Sequence, residues 1–165
     1  MTAKEIILEQ MAACRNEVNW FVPVSNALAD LSLEHALLKD KSNNSIMQIV
    51  VHLIFWNERY LNRFKGISNP KFTGENKETF EASSLDISEI DLIKAKERLD
   101  LVLGEFYKAV RESEEDKLNS PAYEDKPEPW FSYLLHITIH NAYHIGQIIT
   151  IRKQHGNWNS SLGVS

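Results

Sequence analysis

Three histidines spaced four residues apart carry the most distinctive chemistry in this sequence. His136, His140 and His144 lie at i, i+4 and i+8 within one helical pattern that spans residues 130–147. Histidines four apart share a face of a helix, so two neighbouring imidazoles can point at one divalent ion. Eight residues rise about 12 Å, too far for His136 and His144 to bind one ion together. The spacing therefore leaves two candidate pairs, 136/140 and 140/144, with His140 in both.

A catalytic metal usually has three protein ligands, so a further donor must come from another segment. His52 is the only strongly polar side chain between Ile49 and Trp56. Ile49, His52 and Trp56 recur at helical spacing and form the predicted inward stripe of their helix. Burying an unpaired imidazole costs about 1–3 kcal/mol, so either a metal or a buried hydrogen-bond partner must satisfy His52. Neither Cys14 nor Glu58 has a clear claim as a fourth ligand.

Composition and charge exclude several classes of protein. The 165 residues fit a single domain, 1–165, and 43% hydrophobic with 25% charged residues is ordinary for a globular chain. A net charge of −5 and no basic run argue against a nucleic-acid partner. No apolar run is long enough to predict a membrane span, and the charged residues 1–10 do not resemble a signal peptide. The one cysteine, Cys14, is predicted to be a buried core residue, and its isolation favours the cytoplasm.

Four long stretches of apolar residues at helical spacing predict an all-α four-helix bundle. They cover approximately residues 2–31, 45–65, 88–113 and 129–155, the last starting at Pro129 or Trp130. Pro23 either kinks one long helix or ends a first piece near Val22 and starts a second. The Ser45-x-x-Gln48 pattern predicts a capping box at the start of the second helix. Residues 30–44, 66–86 and 119–129 are predicted to be connections without strands. The length of the loop 66–86 also makes it a candidate for function.

The residue patterns of the second and third helices predict how these helices pack. The second helix is apolar on nearly all sides, because Val50, Val51 and Ile54 fall partly outside its inward stripe. Such a helix is either central or covered by another subunit, so we expect a homodimer. The residues predicted to face the core from the third helix are Ile90, Ile93, Ala95, Leu99, Val102, Leu103, Phe106 and Val110.

Several reaction classes lack their motifs in this chain. There is no Gly-x-Ser-x-Gly, no phosphate-binding glycine loop and no pair of catalytic carboxylates. Di-iron bundles use Glu-x-x-His on two helices, but Ile49 and Ile137 hold the −3 positions before His52 and His140. A mononuclear site with three histidines is therefore favoured over a dinuclear oxygenase.

Two motifs resemble those of a known family over nearly the whole chain. They read Ser45-Ile-x-x-Ile-x-x-His52-Leu-x-x-Trp56-x-x-Arg59-Tyr60 and His136-x-x-x-His140-x-x-Tyr143-His144-x-Gly146-Gln147-Ile148. They resemble the DinB-like family, which includes YfiT-type metal-dependent hydrolases and low-molecular-weight-thiol transferases. This chain differs from the family motif at Ile145, where many relatives carry an arginine that would place a positive charge beside the metal.

The resemblance implies a metal site and a range of activities. His52, His140 and His144 would bind one divalent ion per chain, zinc or nickel, and His136 would support the ligands or pack beside them. The implied function is that of a metal-dependent enzyme acting on a small molecule. Thiol S-transfer is the leading activity, and hydrolysis is the alternative. The ion would act as a Lewis acid on a thiol or water. A non-enzymatic, stress-related metal-binding protein is the contrasting class, and the family name does not imply binding to DNA.

Overall fold

The protein is an all-α bundle of four long helices, as the sequence predicts. The computed structural model describes residues 1–39, 44–81 and 87–163. Within them the helices are α1 (Ala3–Arg15), α2 (Val24–Ala27), α3 (Leu33–Leu37), α4 (Ile46–Phe64), α5 (Glu89–Glu112), α6 (Glu115–Asn119) and α7 (Trp130–Gln154). A small antiparallel hairpin joins β1 (Pro121–Tyr123) to β2 (Lys126–Pro129), and single 3₁₀ turns cover Asn76–Phe80 and Ser160–Leu162.

The four long helices pack in a ring. α4 lies between α5 and α7, and α1 closes the other side against the same two helices. Three of the four begin with a capping box, at Thr2 and Glu5, at Ser45 and Gln48, and at Ser88 and Asp91, so their first free amides are satisfied locally. The side chains of Asn57 and Asn141 pair across α4 and α7 and fix how these two helices are aligned.

The first predicted helix is shorter than its apolar pattern suggests. α1 ends at Arg15, not near Val22, and Pro23 caps the single turn of α2 instead of kinking a long helix. Of the apolar residues between them, Val18 is 61% and Trp20 90% exposed, whereas Val22 is buried in the core. The helical spacing of apolar residues did not extend α1, because Val18 has no neighbouring surface to cover.

The predicted connections contain more structure than their composition suggests. α3 lies within residues 30–44, the first 3₁₀ turn lies within 66–86, and the hairpin occupies most of 119–129. The prediction of no strands is therefore wrong for the last of these, where Pro121 pairs with Pro129 and Tyr123 with Lys126. Residues 40–43 and 82–86 of the predicted connections lie outside the described residues.

The predicted face of α5 is correct in its centre and wrong at its start. Leu99, Val102 and Phe106 are buried as predicted, but Ile90 is 62% and Ile93 52% exposed. Leu92 takes the core position in the first turn, because it shares a face with Ala95 and Leu99. No helix in the described ranges combines the length and the apolar character that crossing a membrane requires.

Candidate metal centre

Two helices bring three histidines to one point. His52 comes from α4, and His140 and His144 come from successive turns of α7. One ring nitrogen from each lies within 4.8 Å of the others. His52 is only 1% exposed and His144 6%, while His140 is partly buried beside a cavity. Of the two histidine pairs that the spacing leaves open, the pair of His140 and His144 is therefore the one that lies beside His52.

A short hydrogen-bond chain fixes the proton of His52. Its Nδ1 lies 2.6 Å from Oγ1 of Thr79, and that hydroxyl donates its own proton to the carbonyl oxygen of Asn76, also at 2.6 Å. Oγ1 must therefore accept from His52, which places the imidazole proton on Nδ1. The lone pair of His52 consequently lies on Nε2, the atom that faces the other two rings.

His144 is oriented in the same way by another residue of α7. Its Nδ1 lies 2.7 Å from the amide oxygen of Gln147, and the amide nitrogen of Gln147 donates to the hydroxyl of Tyr143 at 3.2 Å. An amide oxygen can only accept, so the proton of His144 is on Nδ1 and its Nε2 carries a lone pair. Outer hydrogen bonds of this kind orient ligands in metal proteins.

The donor set fits a divalent ion such as zinc or nickel. Nε2 of His52 lies 3.0 Å from Nε2 of His140, close to the roughly 3.3 Å that separates two imidazole nitrogens on one tetrahedral zinc. His144 adds a third ring nitrogen within 4.8 Å of the other two, and one cation could be bound by all three. Nδ1 of His140 is buried without a hydrogen-bond partner in the described residues, so this ring is the least constrained of the three.

Burial keeps the three imidazoles neutral. Loss of solvation, followed by the charges of His144 and His140, lowers the pKa of His52 from 6.5 to about 3. Burial and then the charge of His144 lower the pKa of His140 to about 4, and burial also lowers the pKa of His144. Neutral imidazole is the form that binds metals, so the site is ready to bind one at neutral pH.

The 3₁₀ turn Asn76–Phe80 closes one side of the cluster. The ring of Phe80 stacks on His52 with centroids 3.8 Å apart and planes 8° apart. Trp56 donates from its indole nitrogen to Oδ1 of Asn76 at 3.3 Å, which holds the turn against α4. Sequence reasoning missed Thr79, Phe80 and also Gln147, although the length of the loop 66–86 marked it as a candidate for function.

The histidines open into a cavity of about 570 Å³, a size typical of small-molecule sites. Four aromatic side chains besides Phe80 line it, namely Trp56, Tyr60, Tyr133 and Tyr143. His136 also lies on the wall of this cavity, but it is exposed and is not one of the three clustered histidines.

Three other side chains considered from sequence lie away from the site. Ile145 is 2% exposed, packs in the core and is not a lining residue of the cavity. Cys14 is a buried core residue, as predicted, and burial raises the pKa of its thiol to about 12. Glu58 forms an ion pair with Arg98 of α5.

Comparison with known proteins gives one result. Neither the curated proteins nor the solved structures contain a match to this chain. The family model of the DinB superfamily matches residues 23–148, which is more than half of the chain and includes all three histidines. The chain therefore belongs to the DinB superfamily.

Proposed function

We propose that this protein binds one divalent ion per chain, zinc or nickel, through His52, His140 and His144. The observation that carries the proposal is the meeting of three histidine ring nitrogens within 4.8 Å of one another, with Nδ1 of His52 and of His144 hydrogen-bonded outside the cluster, to Thr79 and Gln147. Both rings therefore keep a lone pair on Nε2, and a neutral imidazole nitrogen is the form that binds a metal.

We further propose that the site is catalytic and that the protein is a metal-dependent enzyme, a low-molecular-weight-thiol S-transferase. Three histidines leave coordination positions open, whereas structural zinc is normally closed by four protein ligands. A bound divalent ion supplies Lewis acidity, which lowers the pKa of a thiol or a water molecule in an open position. The adjoining cavity of about 570 Å³ offers room for a small-molecule substrate.

Residues around the cluster have distinct tasks in this proposal. Thr79 and Gln147 hold the ligand rings in one tautomer, and Phe80 keeps water from the face of His52. Tyr143 accepts a hydrogen bond from Gln147, so its own proton is free to be donated to a substrate in the cavity. No carboxylate joins the histidine cluster among the described residues, and in thiol transfer the thiol of the substrate is itself the nucleophile.

Metal analysis combined with a ligand screen tests the proposal. Purified protein should contain or take up about one zinc or nickel ion per chain, and His140→Ala should abolish this uptake. Metal-loaded protein should be stabilised in a thermal-shift screen by bacillithiol, mycothiol, glutathione or coenzyme A, and stripped protein should not. Retention of metal at wild-type affinity by His140→Ala would refute the site. Turnover of esters or amides without any thiol would support hydrolysis, the alternative activity.

We also propose that the protein is a cytoplasmic homodimer. The apolar residues of α4 that suggested a partner are mostly covered within the chain, since Val50 is fully buried and Val51 and Ile54 pack on the core. Support comes instead from apolar side chains exposed around α1 and α7, which are Ile6, Val18, Trp20, Ile139 and Tyr143. Sedimentation that detects only monomer at micromolar concentration would contradict the dimer. The single buried thiol, Cys14, suits a reducing compartment.

A further inference from the structure

A second, smaller cavity adjoins the metal centre along α4. Its volume is about 160 Å³, enough for one chemical group but not for a whole ligand of ordinary size. Its lining consists only of aromatic residues and arginines: Trp56, Arg59, Tyr60, Arg63, Phe72 and Tyr123. Trp56 and Tyr60 also line the large cavity that contains the histidines. The two cavities are therefore neighbours that share two wall residues, and the small cavity is called the arm.

The two arginines of this arm lack a carboxylate partner of the kind that Arg15 and Arg98 have. Arg15 pairs with Asp100 and Arg98 with Glu58, but neither Arg59 nor Arg63 lies within 4.0 Å of a carboxylate in the described residues. Arg59 donates one hydrogen bond, from Nη1 to the carbonyl of Pro70 at 2.9 Å. The remaining guanidinium donors of both residues are available to a ligand.

Aromatic rings hold both guanidinium groups in place. The guanidinium carbon of Arg63 lies 3.8 Å from the centre of the Tyr123 ring, and that of Arg59 lies 5.8 Å from the Phe72 ring. Both arginines are partly buried. A guanidinium stacked in this way is already ordered and partly stripped of water, which reduces the cost of binding an anion.

Charge around the arm also favours an anion. The chain as a whole carries a net charge of −5, so the two arginines are not part of a generally basic surface. A third cation, Lys126, lies 5.3 Å over the same Tyr123 ring. Burial and the neighbouring Tyr123 raise the pKa of Tyr60 to about 12, so this phenol, which lines both cavities, stays protonated.

We propose that Arg59 and Arg63 bind a carboxylate or phosphate group of the substrate while its reacting end lies at the histidines. On α4, Arg59 is seven and Arg63 eleven residues beyond His52, which corresponds to about 10 and 16 Å along the axis. The substrate is thus a small anionic molecule whose charged group lies about that far from the reacting atom, joined by a stem that contacts Trp56 and Tyr60. The identity of the reacting end depends on the proposed function, but the anion site does not.

The anion site can be tested on metal-free protein with ligands that contain no thiol. Octanoate and octyl phosphate are titrated and followed by the side-chain Nε–H signals of arginine in nuclear magnetic resonance spectra, with octanol as the uncharged control. We expect at least one of the anions to shift the signals of Arg59 and Arg63, and octanol to leave them unchanged. The anion that binds more tightly shows whether the charged group of the substrate is a carboxylate or a phosphate.

Matched variants separate a specific site from a general charge effect. Arg59→Gln and Arg63→Gln should each weaken anion binding at least about tenfold, since each removes charged hydrogen bonds. Arg111→Gln changes the net charge equally at an exposed position outside both cavities and should have no effect. Absence of saturable binding by the wild type at millimolar concentration, or unchanged binding by both cavity variants, would overturn the proposal.

A second titration uses zinc-loaded protein and distinguishes the two proposals. We expect 8-mercaptooctanoate to bind at least about tenfold more tightly than 8-mercaptooctanol, and Arg63→Gln to remove this preference. Binding of both thiols that is indifferent to zinc would refute the thiol-transfer function and leave the anion site standing. Zinc-dependent binding of both thiols with equal affinity would refute the anion site alone.

Discussion

The side-chain amides of Asn57 and Asn141 exchange two hydrogen bonds, at 2.8 and 3.0 Å, across the interface between α4 and α7. Both residues are buried, with 1% and 5% exposure, and Asn57 also donates to the carbonyl of Leu53 at 2.8 Å. Asn141 directly follows His140, and Asn57 is five residues beyond His52. The pair therefore holds the two helices in the register that brings these histidines together.

Asn141→Leu should destabilise the protein by about 1–3 kcal/mol, because it leaves polar atoms of Asn57 buried without partners. Urea unfolding of metal-free protein measures the change in the free energy of unfolding. The double variant Asn57→Leu/Asn141→Leu should recover part of this loss, since no orphaned amide remains. A double variant that is less stable by the sum of the two single effects would contradict this account.

Thr79→Val should weaken metal affinity about 10–100-fold with little change of shape, because the hydroxyl that accepts the proton of His52 is lost. Competition with a coloured chelator measures the affinity. Thr150→Val is the matched control, since its exposed hydroxyl bonds only to the carbonyl of Gly146 on its own helix. Equal affinities of the two variants would show that the hydrogen bond to Thr79 does not orient a ligand.

His144→Ala should lose the metal, and His136→Ala should largely retain it. The reason is that His144 belongs to the cluster of three, whereas His136 is exposed on the cavity wall. Metal content after dialysis, measured by mass spectrometry on both proteins in parallel, gives the comparison. The reverse result would transfer the ligand role to His136.

Stability of the metal-free protein should fall as the pH drops below about 6.5. The pKa values of His52 and His140 are lowered from 6.5 to about 3 and about 4, so the unfolded chain binds protons that the folded chain does not. The free energy of unfolding therefore decreases from about pH 6.5 downward. Comparison of the urea midpoints of unfolding at about pH 7.5 and pH 5 tests this. Both pH values lie above the range in which most carboxylates titrate.

Variants assign that pH dependence to the buried rings. His140→Gln should flatten the slope, whereas His136→Gln, at an exposed position, should leave it unchanged. Metal affinity should also decrease over the same pH range, because protons compete for the ligand nitrogens. A metal affinity that is constant between neutral and mildly acidic pH would argue against histidine ligation.

Removal of the metal should leave the helices intact. The core of the bundle is formed by apolar contacts, with Leu53, Leu134 and Ile148 almost completely buried, and it does not depend on an ion. Circular dichroism after chelation should show retained helicity, with a moderate decrease in melting temperature from the loss of ligand binding. A collapse of the helical signal would indicate a structural metal and a non-enzymatic role.

The sequence predicts the parts of this molecule that depend on local patterns. Helical periodicity located the four long helices, and the side chains of Ser45 and Gln48 form the predicted capping box. Spacing alone left the partner of His140 open, and the resemblance to the DinB-like family selected His144. That set coincides with the three histidines that the structure brings together.

The remaining features depend on contacts between distant segments. Thr79 and Phe80 lie in a stretch with no periodicity, and only the fold reveals that they meet His52, which is 27 residues from Thr79 in sequence. The hairpin after α6 contains three prolines, a composition that argues against strands. Val18 shows the opposite failure, since an apolar residue at helical spacing proved to be exposed outside any helix.

The turn Asn76–Phe80 supplies both the acceptor that orients His52 and the ring that covers it. Ion binding and the order of this turn are therefore thermodynamically linked, and each must strengthen the other by the same factor. Backbone amides of the turn should exchange with solvent deuterium more slowly when zinc is present. For the same reason, the rate at which the ion dissociates should follow the rate at which these five residues open.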